Sequence, residues 1–331
     1  MRYALQTDAA VVLHERSLEA TDPAVWDRCV QASGGSFLGC WSVLKAESVL
    51  RTVRVFEFHR GGSPASSTRI GQCAVAVSND RLRFLDRLHL LPAYADHWAD
   101  ALQQVVARCG AGIYTYGSGW NHERCRASLA GALVPEGGVV DGAFGLDCVD
   151  FAAWPDFGAY RRGVSENIRR DYKKAAAASP TVITRRGMAA WRDVPGLVSL
   201  RRQVMQRNGE RFSSFLDGPK HALKLLCLGD DAFISTIEAQ GRLQAAFFGV
   251  RFGGGIYYLG GGTRDGCEGF GSYMFLTLLE GWFRDHPDGK LYLGMTQPGV
   301  LPEMYTRGNL LYRRKLRARS IPACSFTLYV R

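Results

Sequence analysis

One order of segments occurs twice in this chain, and that doubling limits what it can fold into. Runs with strand alternation come in threes, at 51–59, 69–77 and 80–87, and again at 233–238, 243–250 and 255–259. Val53-Arg54-Val55-Phe56-Glu57-Phe58 is representative, with β-branched and aromatic residues alternating at the period of a half-buried strand. Asn79-Asp80, Gln240-Gly241 and Gly253-Gly254 supply turns between the runs. Before the first triplet, the pattern predicts a strand at 9–16 and a helix opened by Asp22 as cap and Pro23 at its first turn. A helix over 36–48 follows. After the triplet come a helix over 94–109, a strand at 112–116, a helix over 121–133 and a strand at 139–151. The second half repeats the order, with helical 156–178, a strand at 181–186 and helices over 189–208 and 219–227 before its triplet. A helix over 269–285, a strand at 290–294, a helix over 300–307 and strands at 310–317 and 324–330 complete it. A chain of 331 residues exceeds one ordinary domain, and a repeat of about 150 residues is itself domain-sized. The expectation is two tandem α/β domains, 1–154 and 155–331, divided at Trp154-Pro155.

Charge separates the halves. Residues 1–154 hold 14 Lys and Arg against 16 Asp and Glu, whereas residues 155–331 hold 27 against 15. The net charge of +10 therefore resides in the second half. It points there to an anionic partner, such as nucleic acid or a nucleotide-linked substrate, with a merely solvated basic surface as the alternative. Nine scattered cysteines, without a C-x-x-C pair or His at zinc-finger spacing, argue against a disulfide framework and a structural metal. A reducing cytoplasm is the expected setting. No apolar run approaches the ~18 residues of a membrane span, and residues 1–8 lack the apolar core of a signal peptide.

Four stretches, spaced along nearly the whole chain, carry a family resemblance. They are Gly34-Gly35-Ser36-Phe37-Leu38 with Trp41 and Leu44-Lys45; Val164 through Ala175; Arg207-Asn208-Gly209-Glu210-Arg211-Phe212; and Leu311-Tyr312-Arg313-Arg314-Lys315. With the element order, they make the chain resemble tandem GNAT acyltransferases of the FemABX group, which use aminoacyl-tRNA. The resemblance implies two GNAT-like domains, each a mixed, mostly antiparallel sheet that splays open midway and is flanked by helices. It departs from CoA-dependent GNAT enzymes at the loop that cradles pyrophosphate on backbone N–H groups. In the first half the equivalent Leu90-Leu91-Pro92-Ala93-Tyr94-Ala95-Asp96-His97 has no glycine. In the second, Gly269 and Gly271 remain, but the leading Arg or Gln is Gly266.

Forming an amide from an activated ester needs a positioned donor, a neutral amine, a site for the oxyanion and a route for the proton. The second splay should fall near Tyr258-Leu259-Gly260-Gly261-Gly262, where glycines admit a ligand to the backbone, or simply form a hairpin exit. Gly260 and Gly261 are expected to contribute the oxyanion contact, with Tyr258 beside the substrate. By resemblance, Lys315 lies at the aminoacyl end of the donor and shares a strand face with Arg313. Lys45, four residues after Trp41, would meet acceptor phosphate. Arg207 and Arg211 are spaced to form a clamp for phosphate or carboxylate, or a charged surface. Six cations within residues 161–174, among them Arg169, Arg170, Lys173 and Lys174, suit a phosphate backbone, as do Arg313 and Arg314. Gly269 and Gly271 would serve phosphate at a helix start. Asp265 and Glu268 are expected to cap that helix. The seven histidines form no recognisable motif with a carboxylate or nucleophile, and no metal ligand set is expected.

The expected activity is aminoacyl-tRNA-dependent amide formation on an amine-bearing acceptor, a cell-wall precursor or natural-product intermediate. The co-substrate is aminoacyl-tRNA, or acyl-CoA in the alternative of a CoA- or carrier-protein-dependent N-acyltransferase; no cofactor is tightly bound. A non-catalytic module binding RNA or nucleotide-linked ligands is the remaining alternative. No membrane insertion is expected.

Overall fold

A computed structural model describes residues 11–61, 68–117, 120, 130–132, 138–141, 144–209, 213–267, 269–296, 308–323 and 325–331. The backbone forms two compact units, one of Met1–Ala143 with Pro322–Arg331 and one of Phe144–Ile321.

In the first unit the strands are β1 (Val11–Arg16), β2 (Thr52–Arg60), β3 (Thr68–Ser78), β4 (Arg81–Phe84), β5 (His89–Leu90), β6 (Gly112–Tyr116) and β7 (Gly138–Asp141). The helices are α1 (Pro23–Ala32), α2 (Trp41–Leu50) and α3 (Trp98–Cys109). Asp22 caps α1 as expected, its Oδ1 accepting from the Ala24 and Val25 amides. The expected 36–48 helix begins instead as a 3-10 turn at Phe37–Gly39, after which Cys40 is extended and α2 starts. The sheet runs β1-β2-β3-β4-β6-β15-β7, with β5 on β3 and β15 (Phe326–Val330) drawn from the far end of the chain. α3 lays Trp98, Leu102 and Val105 on Phe56, Phe58, Cys73 and Val75 in one core. Its apolar face repeats at i, i+4 and i+7, which is why the period read correctly.

The second unit contains β8 (Phe144–Asp150), α4 (Phe157–Gly163), α5 (Glu166–Ala176), β9 (Thr181–Arg186), α6 (Val194–Arg207), α7 (Ser214–Leu228), β10 (Ala232–Ala239), β11 (Arg242–Phe252) and β12 (Gly255–Thr263). α8 (Gly269–Asp285), β13 (Lys290–Thr296), α9 (Gly308–Lys315) and β14 (Arg319–Ala323) follow. Its sheet runs β14-β8-β13-β12-β11-β10-β9. α8 buries Met274, Leu276, Leu279 and Trp282 against Phe233 and Phe247.

The chain forms two units as expected, but the boundary differs from the expected Trp154-Pro155. The single strand predicted at 139–151 is two strands. β7 stays in the first sheet, while β8 pairs with β13, Val149 opposite Leu291. Conversely, β15 leaves the second half and pairs with β6 and β7 of the first sheet, Leu328 opposite Tyr114 and Val139. Each sheet thus takes one strand from the other half of the sequence. In sequence, the turn dipeptide Asp141-Gly142 interrupts what otherwise reads as one apolar run.

Two further expectations are corrected. Residues 310–317 are not a strand: α9 spans Gly308–Lys315 and ends in a Schellman motif, Ala318 N donating to Arg313 O and Arg317 N to Arg314 O. Helical 156–178 divides into α4 and α5 between Val164 and Ser165, where Ser165 caps α5 through Ile168 N. The predicted helix over 300–307 lies outside the described residues, as does most of that over 121–133.

Candidate functional site

β12 and β13 run parallel for three residue pairs, Gly255–Lys290, Ile256–Leu291 and Tyr257–Tyr292, and then separate. β13 shifts register against β8 after Tyr292, with Gly294 at φ 107°, a left-handed conformation that glycine adopts without strain. β12 continues to Thr263 paired only with β11 on its other side. The result is an opening in the middle of the sheet, beginning beside Tyr258, where the family resemblance led it to be expected.

Both walls of the opening carry arginine. On the β13 side, Arg313 of α9 donates through Nη1 to Asp147 Oδ2 at 3.1 Å, Gly294 O at 3.2 Å and Met295 O at 3.0 Å. Asp147 is buried on β8 and also accepts from Thr296 Oγ1 at 2.6 Å. On the β12 side, Arg201 of α6 lays its guanidinium against Gly260, where a Cβ would overlap Nη1. Arg201 Nε is held by Asp217 Oδ2 of α7 at 2.8 Å, and the same oxygen lies 3.2 Å from His221 Nε2. Burial lowers the His221 pKa to about 4, so its ring is neutral near pH 7. Between these walls stands Tyr258, packed on Phe247 and Phe275. Burial raises its hydroxyl pKa, while Arg201 and Arg313 both pull it down, so the phenol feels both cations. The opening therefore offers a protonated hydroxyl and two carboxylate-anchored guanidiniums, a set suited to a developing oxyanion or an anionic ligand.

The glycines expected to admit a ligand instead admit protein. A Cβ on Gly261 would meet Ala246 O at 2.5 Å and Tyr258 Oη at 2.9 Å, and one on Gly262 would meet the Leu200 backbone at 2.7 Å. Gly260 makes room for Arg201. The triplet lets α6 lie flush on β12 and thereby brings Arg201 to the opening. Gly269 is likewise a packing glycine: a Cβ there would stand 3.2 Å from Asp171 O of α5, and one on Gly271 3.0 Å from the Thr263 methyl.

The structure sorts the other expected residues. Lys315 does not share a face with Arg313, because residues two apart on a helix point about 200° apart. Arg207 reaches back to the end of β12, donating to Asp265 Oδ1 at 2.6 Å and to Thr263 O and Oγ1. Asp265 is thus an arginine partner in addition to preceding α8, and Arg211 and Glu268 lie outside the described residues. On α5, Ile168 and Ala175 are buried, while Arg170, Lys173 and Lys174 form an exposed basic stripe and Arg169 is half-buried. In the first unit Lys45 is exposed on α2, and the Trp41 amide donates to Asp27 of α1 at 2.6 Å. Among the described residues no group of three or more His, Cys, Asp and Glu is placed to hold a metal ion, and no helix is long and apolar enough to cross a membrane.

Arg201 and the Asp217–His221 pair are absent from the sequence reading. Arg201 was detectable as a cation four residues after the buried Leu197, on the apolar stripe of its helix. Asp217 and His221 stand at the i,i+4 spacing of one helical face.

The first unit has a corresponding parallel pair, β4 with β6, from Arg81–Ile113 to Arg83–Thr115. Beyond it the space is filled. Tyr116 Oη accepts from Leu88 N at 3.1 Å and Trp98 Nε1 at 2.9 Å, and its ring stacks on Phe326 at 4.7 Å. Next to it, Asp86 accepts from Ser36 N at 2.7 Å and Ser36 Oγ at 2.9 Å. His89 is fully buried against Gly35 and Gly39, whose Cβ atoms would approach its ring to 2.6 and 2.5 Å. The Gly34–Trp41 stretch thus serves the core of its own unit.

No family model matches the chain, and no curated protein matches it in sequence. Solved structures do match. FemX superposes with a TM-score of 0.71 at 9% identity, covering 96% of this chain and 97% of FemX. A tandem GNAT protein from the clavulanic acid biosynthesis pathway gives 0.53 at 13% identity over 96% and 98% of the two chains. L-PGS from Bacillus licheniformis gives 0.53 at 14% identity over 93% and 92%. Two mixed sheets in tandem, with that agreement over nearly the whole chain, give this protein a tandem GNAT fold, the one it shares with FemX and the clavulanic acid pathway protein.

Proposed function

We propose that the protein is an aminoacyltransferase that takes its acyl group from aminoacyl-tRNA and forms an amide on an amine-bearing acceptor at the β12–β13 opening. One observation carries this reading: the opening is lined by Arg201, Arg313 and Tyr258, each already oriented by a protein partner or ring packing. In the reaction, the neutral amine attacks the ester carbonyl, the new C–N bond forms and the C–O bond to the ribose oxygen breaks. The guanidiniums offset charge on the carbonyl oxygen in the transition state. Tyr258, kept protonated at neutral pH, hydrogen-bonds the leaving ribose oxygen, which departs as the free hydroxyl carrying a proton lost by the amine.

A donor other than CoA is supported by the α8 start, where a Cβ on Gly269 would stand 3.2 Å from the Asp171 backbone carbonyl, so that the first turn packs closely on α5 at the point where GNAT enzymes receive pyrophosphate. The retained Gly269 and Gly271 support acyl-CoA as the second reading. The deciding experiment is an intact-mass assay of amine acceptors with aminoacyl-tRNA or acyl-CoA. Product that requires charged tRNA and disappears on RNase treatment is expected; equal product from acyl-CoA without tRNA would sink the proposal.

A further inference from the structure

α7 turns a polar stripe toward its neighbour α6. Asp217, Lys220, His221 and Lys224 stand at i, i+3, i+4 and i+7, one face of the helix, and α7 packs on α6. Arg201 of α6 meets that stripe through Nε, bound to Asp217 Oδ2, while its Nη1 rests on Gly260 at the opening. His221 holds the same carboxylate oxygen and stands edge-on to Phe248 at 4.9 Å. Partial burial and then the Arg201 charge hold the Lys224 ammonium below the ordinary lysine range, while Asp217 pulls it back up. Arg201, Asp217 and Lys224 therefore share one neighbourhood beside the opening, with Lys220 one turn before Lys224, and both lysines are exposed.

Two properties of this cluster point to a ligand. Its charges do not balance: Arg201, Lys220 and Lys224 face one carboxylate, because His221 is neutral and Asp217 is the acid that acts on both His221 and Lys224. The two arginines of the opening also differ in what they still offer. Arg313 Nη1 is fully engaged by Asp147, Gly294 O and Met295 O. Arg201 gives the protein only Nε; its two terminal nitrogens make no hydrogen bond among the described residues, and its side chain keeps 17% exposure. A guanidinium held at Nε and resting on Gly260, with its outer fork open, is pre-oriented for a planar anion.

The sign of the surplus selects among amines. At neutral pH a plain alkylamine is an ammonium ion, which the excess positive charge repels. An amine that also bears a carboxylate brings a partner for Arg201 and Lys224. The charge left over then lowers the pKa of that amine toward its neutral, nucleophilic form. One bound carboxylate still leaves the cluster positive, so charge remains for the carbonyl oxygen in the transition state.

We infer that the acceptor is an amino acid or peptide whose carboxylate is held by Arg201 and Lys224 while its amine enters the β12–β13 opening. Its role as acceptor rests on the aminoacyl-transfer reading, but carboxylate binding is measurable without transfer. Ligand-observed NMR titrations of the full chain with glycine, triglycine and L-lysine, each against its own carboxamide, read it directly. At least one acid should bind about tenfold or more tighter than its amide. Lys224→Gln should weaken that acid about tenfold, leave the amide unchanged and melt as the parent does, because the side chain is exposed. Lys224→Arg, which keeps the charge, should keep the preference, a rescue that a packing role would not give. In transfer assays Lys224→Gln should raise KM for the acid about tenfold and leave kcat within about twofold. Acids that bind no better than their amides would overturn the inference, as would an acid preference unchanged in Lys224→Gln. Inorganic phosphate that displaces the acids at concentrations below their own dissociation constants would reassign the cluster to phosphate and overturn it too. A protein that prefers the acids through Lys224 yet transfers nothing from aminoacyl-tRNA keeps this site and loses the proposed function. One that transfers from aminoacyl-tRNA to acids and amides equally well does the reverse.

Discussion

The parallel pairs β4–β6 and β12–β13 begin alike and end differently. Each holds three registered pairs before the strands part. In the first unit a tyrosine, a tryptophan and a phenylalanine close the gap, and the Tyr116 hydroxyl accepts from the two donors nearest it. In the second, the Tyr258 hydroxyl feels two arginines, which are anchored by Asp217 and Asp147. A fold element therefore does not determine a site. A sheet opening becomes chemical when charge is held at its edge and becomes core when aromatic rings fill it.

Substitutions should separate the two openings. The largest effect is expected on turnover from Tyr258→Phe, a fall of about 10²–10⁴-fold in transfer rate with little change in melting temperature. A variant with parental rate would remove Tyr258 from the chemistry. Arg313→Met should be costly in both respects, because it leaves Asp147 buried without its cation. Unfolding free energy should drop by about 3–5 kcal/mol in denaturant titrations, and transfer should be lost. Acid should act through both units. Burial holds the folded pKa of His89, like that of His221, near 4 against 6.5 unperturbed. Between those values the unfolded chain binds the proton and the folded one does not, so the stability present above pH 6.5 declines as pH falls to 4. For the fully buried His89 the loss approaches about 3 kcal/mol, and a flat thermal-melt profile from pH 7.5 to 4.5 would contradict it. The smallest effect should come from Tyr116→Phe, which strands the Leu88 and Trp98 donors. It should cost about 1–3 kcal/mol in unfolding while leaving the transfer rate unchanged; a rate loss without destabilisation would make the first opening functional.

Much of this arrangement was readable from residue order. Strand triplets and the α1 cap follow from local alternation and cap chemistry, while the second opening was expected from the family resemblance and only located by the glycine run. The misplaced domain boundary has one cause, that strand-pairing partners lie far off in sequence. Alternation in residues 139–151 says strand but not which sheet, and the strand at Phe326–Val330 gives no sign that its partners are Ile113 and Val139. Residues 310–317 were expected as a strand, yet Tyr312 and Leu316 face inward four residues apart, as a helix requires. Arg201 was hidden because a helical arginine is usually solvated. Only the close approach of α6 to Gly260 and Gly262 turns it inward.

Strand exchange has a consequence for how the protein is made. β6 and β7 of the first sheet have no central partner until Phe326–Val330 has been synthesised, about 180 residues after β7. At translation rates of about 5–20 residues per second, the first sheet waits roughly 10–40 s with the edges of Ile113–Tyr116 and Val139–Asp141 unpaired. During that interval the nascent chain presents two open strand edges to whatever else is in reach, and its completed form arises only after both halves have left the ribosome.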